Sequence, residues 1–138
     1  MSANLDLVRS IYDDWERGVY RTLEWADPNL EYVWVGGPTP GTWIGVTEAA
    51  TSFGNFLSAW EEWRVHVDKI RELDGDRVFV LVHASARGRE SGIELPPEST
   101  SFAQIFQVRD GKVTSLVSYF DRATAFADLG LAPDGDTP

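Results

Sequence analysis

Residues 77–89, RVFVLVHASARGR, together with 99–109, STSFAQIFQVR, and 112–120, KVTSLVSYF, decide the fold. All three runs are rich in β-branched and aromatic residues, which suit a pleated, half-buried surface, so each reads as a strand. Asp110-Gly111 joins the second to the third, and Asp-Gly between apolar runs is a strong hairpin signal. The first run is apolar on both faces. Val78, Val80, Val82, Ala84 and Ala86 point one way, while Phe79, Leu81, His83 and Ser85 point the other. A sheet of such strands has to be covered on both sides.

Upstream, Leu5, Val8, Ile11, Tyr12 and Trp15 recur at spacings of three and four, which predicts an amphipathic helix over 4–17. Asn4 is placed to cap it, Asp6 suits its positive end, and Gly18 is placed to close it. A short second helix is expected over 20–26, ended by Asp27-Pro28. NLEYVWV, 29–35, reads as a strand with Leu30, Tyr32 and Trp34 on one side. GGPTPGTWIG, 36–45, is too dense in Gly and Pro for regular structure and is expected to loop, with Trp43 folded back onto apolar surface. Thr47 is expected to cap a helix over 48–61 with Phe53, Phe56, Leu57 and Trp60 as its buried stripe. Residues 63–73 then alternate Trp63, Val65 and Val67 against Arg64, His66 and Asp68, as a strand does. After Asp121 a final helix runs to Leu129, closed by Gly130. Helices set apart from a mostly antiparallel sheet make an α+β domain.

The chain has 138 residues, read as one domain over 1–132 and a frayed tail over 133–138. It has no cysteine, which excludes disulfides, thiolate zinc sites and a cysteine nucleophile. No stretch approaches the roughly 20 apolar residues of a membrane span, and a cytoplasmic, soluble protein is expected. The net charge of -10 disfavours nucleic acid and anionic membrane as partners, because phosphate contacts need clustered Lys and Arg. The two histidines, His66 and His83, lack helical ligand spacing, so no metal is expected. No cofactor is expected either.

The order of elements, with VRSIYDDWERG (8–18), DPNLEYVW (27–34), a Pro/Gly loop ending at Gly45, and FQVRDGKVTSLVSYFDRATAFADLGL (106–131), resembles a known group. It is similar to the nuclear-transport-factor-2-like superfamily, in particular the SnoaL-like, polyketide-cyclase-related branch. The resemblance implies a curved sheet wrapped around the N-terminal helices as a cone. It also implies an apolar pocket and a homodimer through the outer face of the sheet. Membership fixes fold better than chemistry, since the group holds isomerases, hydrolases, cyclases, dehydratases and members without chemistry. Where ketosteroid isomerases carry a general-base Asp this chain has Trp34 or Val35, and where they carry a protonated Asp it has Gln104. Their helix-one tyrosine aligns closer to Ile11 than to Tyr12. The Asp-Arg-Asp set of epoxide hydrolases does not assemble from inward-facing positions.

Asp121, at the mouth end of the last strand, is a candidate acid/base residue by that resemblance. The competing and favoured reading is a cap for the helix that follows it. His83 is the other catalytic candidate, although the register implied by the resemblance turns Val80, Val82 and Ala84 inward and His83 outward. A one-residue slip would reverse this. His66, alternating with Arg64 and Asp68, is expected to be exposed and uninvolved. Gln104, among Phe102, Phe106 and Val108, needs a partner, because a buried amide without one costs on the order of 1–3 kcal/mol. A ligand carbonyl, Ser118 or water would serve. Tyr12, Trp15, Tyr32, Trp34, Phe53, Phe56, Trp60, Val82, Phe102, Phe106 and Phe120 are expected to wall a pocket for a planar or ring-bearing ligand. Residues Arg87, Gly88, Arg89, Glu90 and Gly92 read as a solvated charge cluster that also has the position to rim the pocket.

The expected function is therefore a pocket protein for a small hydrophobic metabolite. If catalytic, it would be a cofactor-free cyclase, isomerase or dehydratase with Asp121 as base and Gln104 or Tyr32 polarising a carbonyl. The alternatives are a binding module without chemistry and a dimeric accessory domain with a filled interior. An acid inside the cavity favours the first, polar donors without a titratable group the second.

Overall fold

The computed structural model describes residues 3–17, 24–36, 40–58, 60–73, 76–88 and 101–130, with the backbone alone at 56, 57, 60–63 and 86–88. The elements run α1 (Ala3–Glu16), β1 (Ala26–Val35), β2 (Gly41–Ile44), α2 (Val46–Leu57), β3 (Trp60–Glu72), β4 (Arg77–Gly88), β5 (Ser101–Arg109), β6 (Lys112–Tyr119) and α3 (Arg122–Leu129). The strands form one curved, unclosed sheet in the order β2-β1-β6-β5-β4-β3. Neighbours are antiparallel except β1 and β6, which are parallel. This is the expected mixed α+β architecture.

The two-faced reading of β4 holds. Val78, Val80, Val82 and Ala84 are fully buried on the inner face, and Phe79 is as deeply buried on the outer one. On the inner side α1 lays Val8, Ile11, Tyr12 and Trp15 against them, one helical stripe at spacings of three, one and three. Each such side chain contributes about 1.5–3 kcal/mol on burial. On the outer side the chain supplies its own cover. α3 packs Ala125 and Phe126 over Phe79, Ala103, Ile105 and Tyr119, with Phe126 and Phe79 ring centroids 5.8 Å apart. Burial of this patch thus needs no second copy.

The β5–β6 turn is as read, with Asp110 at φ 52° and Gly111 at φ 76°, the paired positive values of a tight hairpin. Register breaks in β1/β6, β3/β4 and β5/β6 bend the sheet. One of them inserts Asp68 between Val67 and Lys69 in β3. It shifts the inward set from Val65 and Val67 to Ile70, and Glu16 at the end of α1 accepts a hydrogen bond from the Val67 N–H at 3.1 Å.

Several boundaries differ from expectation. α1 includes Asn4 in its first turn instead of being capped by it; Gly18 lies outside the described residues. The helix expected over 20–26 lies mostly outside them too, but Ala26 already pairs with Val113 as strand. Asp27 and Pro28 sit in a break of that pairing, where the missing proline N–H costs no ladder bond and the Asn29 N–H turns back to Asp27. The Gly/Pro loop hides strand β2, which pairs with β1. α2 starts at Val46, so Thr47 is in its first turn, and the Gly45 carbonyl accepts the first helical bond from Ala49. α2 ends at Leu57, which leaves Trp60 in β3. Gly130 closes α3 at φ 69°, as expected. Arg89, Glu90, Gly92 and the tail over 133–138 lie outside the described residues.

Candidate functional site

The inner face gathers aromatic side chains from five elements, α1, α2, β1, β2 and β5, and from Phe120 just after β6. Tyr12 meets Trp15 edge-on at 5.1 Å and Phe106 at 5.6 Å, and Trp15 lies 6.4 Å from Phe53 of α2. A second group runs along the other side, with Trp34 and Phe102 each 5.0 Å from Phe120, and Tyr32 5.8 Å from Trp34. Trp43 folds back as expected, 6.1 Å from Tyr32. It joins the wall although it was not among the predicted lining residues; its signal was the cost of exposing an indole.

Of the predicted lining residues, Tyr12, Trp15, Tyr32, Trp34, Val82 and Phe106 are buried in one cluster, and Phe53, Phe102 and Phe120 are partly buried against it. The side chains of Phe56 and Trp60 lie outside the described residues.

Across this apolar interior runs one polar line. The Tyr12 hydroxyl donates to Gln104 Oε1, and Gln104 Nε2 donates to Ser118 Oγ at 2.9 Å. Ser118 comes from β6, directly opposite Gln104 of β5, and Tyr12 reaches Gln104 from α1. Ser118 was among the anticipated partners of Gln104; Tyr12 was not, because its place in an apolar helical stripe reads as plain core. The network pairs each buried group once and leaves the second Gln104 amide hydrogen and the Ser118 hydroxyl hydrogen to spare among the described residues. Tyr12 and Ser118 are buried, whereas Gln104 keeps partial exposure.

Burial lifts the Tyr12 phenol well above its ordinary range, with a further push from charge on Tyr32. Burial likewise raises Tyr32, opposed in part by Trp34. Both phenols therefore stay protonated near neutral pH, fit to donate hydrogen bonds and unfit to take protons. Apart from the tyrosines, Ser118 is the one polar residue among the buried described residues, so that set contains neither carboxylate nor imidazole. Among the described residues no three His, Asp or Glu side chains gather as metal ligands.

Asp121 is exposed and caps α3. Its carboxylate accepts the Ala123 N–H at 3.1 Å and the Thr124 hydroxyl at 2.9 Å. His83 lies on the outer face, as the register predicts, with Nδ1 2.7 Å from Asp68 Oδ1. His66, expected to be exposed and uninvolved, is half-buried and stacked on His83, with ring centroids 5.0 Å apart. Its neighbour across the ladder, which the periodicity of a single strand cannot reveal, accounts for the difference. Arg122 completes this outer group, binding Asp68 Oδ2 at 2.6 Å and the carbonyls of Val82 and Phe102. Neither candidate for catalysis thus touches the aromatic interior. Among the described residues, no helix is long and apolar enough to cross a membrane.

Solved structures repeat this fold. An NTF2-like protein of unknown function from Burkholderia pseudomallei superimposes with a TM-score of 0.74 at 21% identity, covering 92% of this chain and 97% of its own. TerC, co-crystallised with polyporic acid, gives 0.73 at 22% identity, covering 93% and 98%. A protein of ketosteroid-isomerase-like fold from Catenulispora acidiphila, in complex with trimethylamine, gives 0.69 at 17% identity, covering 96% and 98%. At such identities the likeness is one of fold. No curated protein matches the chain. Residues 8–116 match the model of the SnoaL-like domain, and the chain belongs to that family.

Proposed function

We propose that the protein binds a small, largely apolar, ring-bearing molecule between the two aromatic groups, with a ligand oxygen held by Gln104 and Ser118. The observation that carries this reading is the Tyr12–Gln104–Ser118 line set among the aromatic and aliphatic side chains of the interior. A polar group in such a place costs stability unless satisfied. Here the satisfied network still has two donors to offer, and the partly exposed Gln104 is the member a ligand can reach. A carbonyl or quinone oxygen is the matching acceptor. The ligands in the TerC and Catenulispora structures belong to those proteins, and they support small-molecule binding as a use of this fold.

Binding is favoured over acid/base turnover because the described buried side chains offer polar donors and no group that titrates near neutrality. If turnover occurs at this site, these residues would stabilise developing negative charge on a carbonyl oxygen. Homodimerisation, if present, would use the part of the outer face that α3 leaves half-buried, including Val33 and Val117.

The test is a titration with anthraquinone and hydroxylated anthraquinones, followed by tryptophan fluorescence. Gln104→Leu and Ser118→Ala should each weaken binding by about tenfold, the equivalent of roughly 1.4 kcal/mol, and Asp121→Asn should leave it unchanged. Equal affinity in folded wild-type and Gln104→Leu protein would remove the reading.

A further inference from the structure

The geometry points to a divalent transition-metal site on the outer face, built from His66 and His83, with Asp68 as the group that orients His83. It is independent of the interior site. The two histidines are direct partners across the β3–β4 ladder, and their ring centroids lie 5.0 Å apart. Two imidazoles each bound at about 2.1 Å to one ion have ring centres about 5 Å apart at tetrahedral or square angles. The separation is the one shared coordination requires; the ring planes are only 28° apart, so one ring has to turn before both lone pairs meet a single ion.

Their chemistry agrees. Asp68 Oδ1 lies 2.7 Å from His83 Nδ1, which places the proton on Nδ1 and leaves the Nε2 lone pair for an ion. A carboxylate behind a ligating imidazole is the usual second layer of a metal site, fixing the tautomer and raising basicity. Asp68 is itself held. Its other oxygen pairs with Arg122 at 2.6 Å, and that guanidinium is anchored on two strand carbonyls. His83 is therefore pinned, while His66 makes no hydrogen bond among the described residues, so its ring is the one that turns to complete the pair. The His83 side chain is 29% exposed, which gives an ion access. No third His, Asp or Glu closes the site among the described residues, so the remaining positions fall to water or an added ligand. Imidazole-only first ligands favour copper(II), nickel(II) and zinc over magnesium or calcium.

Calorimetric titration of tag-free protein with nickel(II) and with zinc tests this, with magnesium as control. One-to-one saturable binding is expected for both transition metals and none for magnesium. His66→Ala and His83→Ala should each abolish it, and Asp68→Asn should weaken it by about tenfold, the low end of the usual loss for an orienting carboxylate. Paramagnetic nickel(II) should broaden the backbone NMR signals of residues 66 and 83 and their ladder neighbours first. Absence of saturable binding, or binding that survives either alanine substitution with the fold intact, overturns the assignment.

Discussion

Gln104→Leu is the substitution that most sharply tests how the interior is held together. It keeps side-chain size but removes the amide oxygen and the amide nitrogen at once. The Tyr12 hydroxyl, on a residue only 1% exposed, loses its acceptor, and Ser118, 5% exposed, loses its donor. A buried polar group left without a partner costs about 1–3 kcal/mol. The Tyr12 share should be the larger, because Ser118 can turn its hydroxyl. With some return from the apolar leucine, the net loss is about 2–4 kcal/mol. For a domain of this size that is a fall in Tm of roughly 6–15 °C. Urea denaturation followed by tryptophan fluorescence gives the free energies directly. Adding Tyr12→Phe to Gln104→Leu removes one orphaned hydroxyl, so the double variant should cost less than the two single losses summed, by about 1 kcal/mol or more. A Gln104→Leu protein as stable as wild type, or strictly additive losses, would refute the hydrogen-bonded line.

Asp121→Ala should destabilise the fold by about 1 kcal/mol through loss of the α3 cap, while Asp121→Asn, itself a good cap, stays within a few tenths; equal losses would contradict the capping role. Phe126→Ala should cost about 3–4 kcal/mol and expose Phe79, which light scattering should register as increased self-association. Near-wild-type stability there would mean that α3 is not the cover. Burial keeps Tyr12 and Tyr32 protonated past the ordinary phenol range, so the unfolded chain releases these protons first. Their contribution is complete below about pH 10 and is lost as pH rises above it. Denaturation free energies that stay flat well into that alkaline range would contradict the burial.

Most of the fold was legible where one physical signal dominated. The alternation in β4, the Asp110-Gly111 turn and the stripe of α1 each follow from a period or a steric rule that neighbours do not alter. Legibility ended where a feature depends on a partner distant in sequence. β2 is four residues in a Gly/Pro-rich stretch and exists because β1 offers it an edge. The bulge at Asp68 is a property of the β3–β4 pair, and so is the register that sets His83 beside His66 and Asp68, which no spacing along β3 announces. The outer face was expected to meet a second copy, whereas part of it meets α3, too short a helix for its periodicity to show which surface it covers. At the site, Gln104 was found because an amide among phenylalanines demands an explanation. Tyr12 was read as wall alone, since its hydroxyl is silent until the helix is docked on the sheet.

The most direct measurement is amide NMR on nitrogen-labelled protein, following the Gln104 side-chain resonances as hydroxylated anthraquinone is added. Saturable shifts of that amide, accompanied by the Trp34 and Trp43 indoles and leaving Asp121 and His83 unmoved, are what a ligand held by Gln104 in the aromatic interior requires. Shifts confined to the outer face, or a Gln104 amide indifferent to every ligand that binds, would contradict it.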